Sequence, residues 1–202
     1  MKIAGMAALA FFAMAQISEA GLVGTEVMKE SIFQSTASSP LNKLTLLHTI
    51  PVRDPGVEIP SLKALQVSNP SGLHLVDTAI DIGNNFIEIS FANSAPDTSF
   101  APGFFNGSVY TFNSSVAPSI SGALIDRSVT TLGLADSDVT FSGNKLAINV
   151  EGLRFNTSTV ARINLTVEGG PPAPVPVPAA FWLFSSGLAA VWQLSRRGKG
   201  TA

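Results

Sequence analysis

Hydrophobic residues recur at every second position through much of the middle of this chain. Residues 86–91 read Phe-Ile-Glu-Ile-Ser-Phe, which puts Ile87, Ile89 and Phe91 on one face. Residues 160–167 behave in the same way, with Ala161, Ile163, Leu165 and Val167 on one side and Arg162, Asn164 and Thr166 on the other. A period of two is the mark of a strand with one buried face. Between the apolar run 73–82 and residues 86–91 stands Gly83-Asn84-Asn85, three residues that tolerate positive φ, so a hairpin is predicted there. A second hairpin is predicted over 139–150, turning at Ser142-Gly143-Asn144, with Leu146, Ile148 and Val150 pointing one way. Further strands are expected at 44–50, 62–67, 108–112 and 120–125. Between them lie a proline-rich stretch at 52–61, a turn at Asn69-Pro70-Ser71-Gly72, a long loop over 93–107 and a bend at Gly152. Only residues 26–33 fit a short helix, with Thr25 as its N-cap. About eight short, turn-delimited strands predict an all-β fold, an antiparallel β-sandwich over residues 21–170.

Both ends of the chain break this alternation. Residues 1–20 begin with Lys2, continue through an apolar run at 3–15 and finish on Ser18-Glu19-Ala20, the layout of a signal peptide cut between Ala20 and Gly21. Ala13-Met14-Ala15 offers a second cleavage position. An uncleaved anchor is the alternative, although an apolar run this short spans a bilayer poorly. At the other end, Pro171, Pro172, Pro174, Pro176 and Pro178 favour an extended polyproline-like rod over 171–178. Residues 179–194 follow without a formal charge and would reach roughly 24 Å as a helix, short of a bilayer core of about 30 Å. A transmembrane helix is expected over 179–195. Arg196, Arg197 and Lys199 then place the tail 196–202 in the cytoplasm and the body across the membrane. Trp182 and Trp192 stand near the two ends of the span.

The order of these residues resembles a known sorting device. Val175-Pro176-Val177-Pro178-Ala179, then Trp182-Leu183-Phe184 with Ser186-Gly187-Leu188, then Arg196-Arg197, is similar to the PEP-CTERM signal in its Val-Pro-x-Pro-Ala variety. The likeness covers the last 28 residues and none of the body. No glutamate stands between the two prolines, as is usual for this variety, and the tail runs three residues past Lys199. The resemblance implies a Gram-negative bacterium that makes exopolysaccharide, and an exosortase-type enzyme that cuts near the proline motif. It also implies passage through the inner membrane to the envelope surface or beyond. An ordinary tail anchor with a proline linker is the alternative.

Charge and composition narrow the body further. Residues 21–170 hold eight Lys or Arg against thirteen Asp or Glu, about −5 in all. That excludes a nucleic-acid partner, which needs clustered cations. The chain has no cysteine, so disulfides, thiolate metal sites and thiol nucleophiles are excluded.

Little chemistry stands out in the body. His48 and His74 each lie in an expected strand. There is no G-x-S-x-G elbow, no phosphate-binding loop and no dinucleotide fingerprint. Asp77 and Asp81 near Asn84, and Asp136 with Asp138, are weak candidates for Ca²⁺, though neither group has the calcium-loop pattern. Turn-forming aspartates explain the second pair as well. Phe104, Phe105 and Tyr110 could stack against a sugar, or could simply be core aromatics. Asn106, Asn113, Asn156 and Asn164 open N-x-S/T triplets. No catalytic residue and no cofactor is assigned. The expectation is a non-enzymatic protein of the surface or exopolysaccharide matrix, whose partners are signal peptidase, the exosortase-type enzyme, the inner membrane and exopolysaccharide. The alternatives are a polysaccharide-binding module assisted by calcium and, last, a secreted glycan-active enzyme.

Overall fold

The alternation that marks residues 86–91 and 160–167 is realised as neighbouring strands. The computed structural model describes residues 21–113 and 119–168. Twelve strands run in order: β1 Glu26–Gln34, β2 Asn42–Lys43, β3 His48–Pro51, β4 Ala79–Ile82, β5 Phe86–Ser90, β6 Thr98–Ser99, β7 Phe105–Phe112, β8 Ser119–Ile125, β9 Val139–Ser142, β10 Lys145–Asn149, β11 Arg154–Phe155 and β12 Val160–Glu168. The described body is all-β and antiparallel throughout.

One sheet has the order β1-β7-β10-β9, with β2 and β3 placed end to end along the free side of β1. The other has the order β4-β5-β12-β8, and β6 pairs with β11 in a small separate ladder. Val27, Tyr110, Phe112, Leu146 and Ile148 of the first sheet join Ile80, Ile82, Ile87, Ile89, Ala161, Ile163 and Leu165 of the second in a single apolar core. A fully buried Leu or Ile contributes about 2 kcal/mol. That burial is the main cohesive term in a chain with no cysteine.

Both predicted hairpins are present. Ile82 pairs with Ile87 across the first turn. Lys145 pairs with Ser142 across the second, where Gly143 takes φ +62°. Gly107 has a different role. A Cβ built on it would stand 1.9 Å from the Ile148 carbonyl oxygen, so only glycine lets β7 and β10 approach this closely.

Several expectations are corrected. The short helix at 26–33 is instead strand β1, with Val27, Lys29, Ser31 and Phe33 buried in alternation. Its inward slots carry a lysine and a serine, which conceals the period of two. The strand expected at 62–67 is a 3-10 turn, Leu62–Leu65. The strand expected at 44–50 shortens to β3, and the apolar run 73–82 forms a ladder only in β4. Residues 73–76 cross the gap beside the core without joining either sheet. In β8 the pairing skips Ser121: Gly122 meets Thr166 while Ile120 meets Val167. The extra residue turns Ile120, Ala123 and Ile125 toward the core and leaves Leu124 72% exposed. Val167, beside that irregularity, is only half-buried.

Candidate functional site

Strand β1 carries the least expected feature of the body. Its inward face presents Lys29, whose side chain is fully buried. Opposite, across the ladder to β7, stands Tyr110, also fully buried, and the next inward pair is Ser31 with Ser108. Three buried polar side chains and the half-buried Ser108 therefore adjoin one another on the inward face. The Lys29 ammonium donates to Ser31 Oγ at 2.6 Å. The Ser31 amide donates to Thr45 Oγ1 at 2.8 Å, which fixes the serine's backbone. Among the described residues the four ion pairs all lie elsewhere, so no carboxylate faces Lys29. Burial alone pulls its amine down to about 7. Burial also pushes the Tyr110 phenol above its ordinary range, an effect only partly offset by the Ser108 side chain. Tyr110 Oη nevertheless makes no hydrogen bond of good geometry.

Ser31 and Ser108 open onto a cavity of about 310 Å³ between the sheets. Its walls are apolar, with Leu44, Leu62, Ile89, Phe91, Ile148 and Val150 among them. Residues 73–76 and 99–102 cross its mouth, where His74, Ser99 and Pro102 are exposed. Phe91, Phe100 and Phe155 close one side as a ring cluster, with centroids 4.6 to 5.9 Å apart. Thr78 also lines the cavity, is 3% exposed, and its Oγ1 has no hydrogen-bond partner. That hydroxyl is itself buried, so its missing partner is a cost to the fold. The cavity volume lies at the lower end of the range for small-molecule sites.

The arrangement has a defined chemical order. Because Lys29 donates to Ser31 Oγ, the Ser31 hydroxyl proton remains available to an acceptor in the cavity. Among the described residues no histidine or carboxylate is bonded to the pair, and the Ser31 amide is already committed to Thr45. The geometry leaves one hydroxyl donor, Ser31, beside a buried amine.

The candidates drawn from sequence are placed differently. Asp77 accepts from Ser61 Oγ at 2.8 Å and from the Lys63 amide at 3.2 Å. Asp81 lies on the outer face of the second sheet, opposite Glu88 in register. Burial, then Glu58, Glu88 and Asp54, raises its carboxyl above the usual range, while Arg162 opposes the shift. Asp136 pairs with Arg127 at 2.6 Å and Asp138 accepts from the Ala135 amide at 2.7 Å. Among the described residues no group of three or more His, Asp or Glu is arranged to hold a metal ion. Phe104 is 58% exposed, whereas Tyr110 is in the core, so the three aromatics do not form one platform. Asn106 is buried and donates to the Ala101 carbonyl, Asn156 caps the Ser158 amide, and Asn164 donates to Asp126.

Gly21 opens the described body, and Leu22, its neighbour, is fully buried with its amide on the Asn84 carbonyl at 2.8 Å. Ala20 and the sorting residues Val175, Pro176, Val177, Pro178 and Ala179 lie outside the described residues. So do Trp182, Leu183, Phe184, Ser186, Gly187, Leu188, Arg196, Arg197 and Lys199. Within the described residues no helix is long and apolar enough to cross a membrane.

No family model, curated protein or solved structure matches this chain. The cavity residues are therefore read on their chemistry alone. Lys29, Ser31, Thr78 and Ser108 were missed in the sequence because each occupies an inward slot normally filled by an aliphatic residue. The available signal was Val27-x-Lys29-x-Ser31-x-Phe33, a period of two with polar members.

Proposed function

We propose that this chain is an exported protein of the cell surface or extracellular matrix, sorted and processed at its C-terminal signal, with a non-enzymatic β-sandwich as the cargo. The observation that carries the reading is the ordered run from Val175 to Lys199: proline motif, uncharged Trp-Leu-Phe segment, basic stop. Several features of the body support it. The body lacks cysteine and is acidic. Its two antiparallel sheets share one core. Its first buried residue, Leu22, stands just past the proposed leader cut between Ala20 and Gly21.

Intact-mass analysis of the mature protein from its native envelope tests this. The expected mass lacks residues 1–20 and residues 179–202. A mature chain that still carries 179–202 overturns the sorting claim, and one that keeps residues 1–20 overturns the leader.

A further inference from the structure

A cavity with an aliphatic wall and a hydroxyl floor selects its guest by shape first and by head group second. At roughly 30 Å³ for each water-sized group, the 310 Å³ between the sheets holds about ten non-hydrogen atoms. The walls offer Leu44, Ile89, Phe91 and Ile148 to an unbranched chain. The floor offers the hydroxyls of Ser31 and Ser108, paired in register on β1 and β7. Behind Ser31, at 2.6 Å, stands the Lys29 amine, fully buried and without a facing carboxylate among the described residues.

We propose that this cavity binds the acyl chain of a medium-length fatty carboxylate, with the carboxylate on Ser31 and Ser108 and its charge balanced by Lys29. The choice of head group follows from the donors. A neutral alcohol would satisfy one hydroxyl and leave Lys29 as it is. A cationic head would repel the ammonium and find no carboxylate on the floor. A carboxylate accepts from several donors at once and supplies the counter-charge that the lysine lacks. Lys29 does not line the cavity itself. It acts through Ser31, whose oxygen accepts the Lys29 hydrogen bond and whose own hydroxyl proton is left for the ligand. Guest entry is on the side of residues 73–76, which belong to no strand, whereas Ser99 is held in the β6–β11 ladder. The inference is independent of the sorting proposal, since a cavity can be loaded whatever route the chain takes to its destination.

Octanoate, with ten non-hydrogen atoms, is the matching probe. The full-length chain is held in nanodiscs, with empty nanodiscs as blank, and titrated with octanoate carrying ¹³C at its carboxyl carbon. Octanol and octyltrimethylammonium are run as competitors. Saturable one-to-one binding is expected, with octanoate at least tenfold tighter than octanol and the cation excluded. In Lys29→Met the tenfold preference disappears while octanol affinity stays within about threefold. In Ser31→Ala octanoate weakens by a similar factor and the labelled carboxyl loses its bound shift. Equal affinity for octanoate and octanol in the unmodified protein overturns the proposal. So does an absence of saturable octanoate binding, or a carboxylate preference that survives Lys29→Met. The comparison of head groups on the unmodified protein stands even if a variant fails to fold.

Discussion

Lys29 and Tyr110 are register partners on β1 and β7, and neither side chain reaches solvent. A lysine and a phenol have been placed opposite each other where two aliphatic residues would pack with less cost. The fold tolerates this because the surrounding aliphatic core is large, but the cost should be measurable.

Replacing the amine with an isosteric apolar group relieves that cost. Lys29→Met is expected to stabilise the protein by about 2 to 4 kcal/mol at pH 7, since a buried unpaired ammonium is exchanged for a well-packed side chain. Urea denaturation at constant ionic strength is the check. A loss of stability would mean that the Lys29–Ser31 bond outweighs the desolvation of the amine.

The same residue gives the unmodified protein a pH dependence. The amine sits at about 7 in the folded state against 10.5 when unfolded. Between those values the unfolded chain binds more protons, so stability increases with pH. The penalty is fully present below pH 7 and is relieved as pH climbs, by up to roughly 5 kcal/mol across the interval. Above about pH 10 the unfolded chain's tyrosine begins to ionise while the buried Tyr110 resists, which reverses the trend. Stability measured from pH 7 to 9.5 should rise in the unmodified protein. In Lys29→Met that rise should flatten.

Tyr110→Phe separates the phenol's shape from its hydroxyl. Because Tyr110 Oη makes no hydrogen bond of good geometry and has only the Ser108 side chain beside it, removing it should change stability by less than about 1 kcal/mol, in either direction. A loss of 2 kcal/mol or more, read from thermal or urea melts, would reveal a partner for that oxygen.

Two glycines make a paired test of backbone geometry. Gly107→Ala drives a methyl group into the Ile148 carbonyl and should cost at least about 3 kcal/mol, or prevent folding. Gly143→Ala meets open space but keeps φ at +62°, and should cost only about 1 kcal/mol. Equal costs at the two sites would contradict the close approach of β7 and β10.

On the outer face of the second sheet, Arg162 holds Glu88 with Nε at 2.9 Å and a terminal nitrogen at 2.8 Å, and lies 4.2 Å over the Phe86 ring. Arg162→Ala leaves Glu88 beside Asp81 with no other cation among the strand residues of this sheet. A loss of about 1 to 2 kcal/mol is expected, discounted for partial exposure. The Asp81 carboxyl should also titrate higher still, as read by NMR.

The sequence was most informative where inward positions were uniformly aliphatic. Ile87, Ile89 and Phe91, and Ala161, Ile163 and Leu165, announced their faces, and both faces are as expected. It was least informative where the same geometry carried other residue types. β1 was concealed by Lys29 and Ser31, because a polar residue in an inward slot reads as the start of a different period. In β8 the skipped residue at Ser121 reverses the faces part-way, so no single alternation describes the strand. The short ladders β2, β6 and β11 span two residues each, too few to register as a pattern. The cavity was invisible for a related reason. Ser31 and Ser108 meet only because β1 and β7 pair across the intervening sequence, and no spacing along the chain records that partnership.

The order of strands in the first sheet also sets a timetable. β1 is made first, yet Val27 must wait for Phe112. In the second sheet Phe86 must wait for Asn164. Long-range pairings of this kind close slowly, because the intervening chain must be gathered before any ladder bond repays it. A polypeptide that emerges from its N-terminus can form its hairpins early but cannot complete either sheet until most of the body has been delivered. The topology works as a built-in delay, set by how far apart in the chain the partners of each sheet lie.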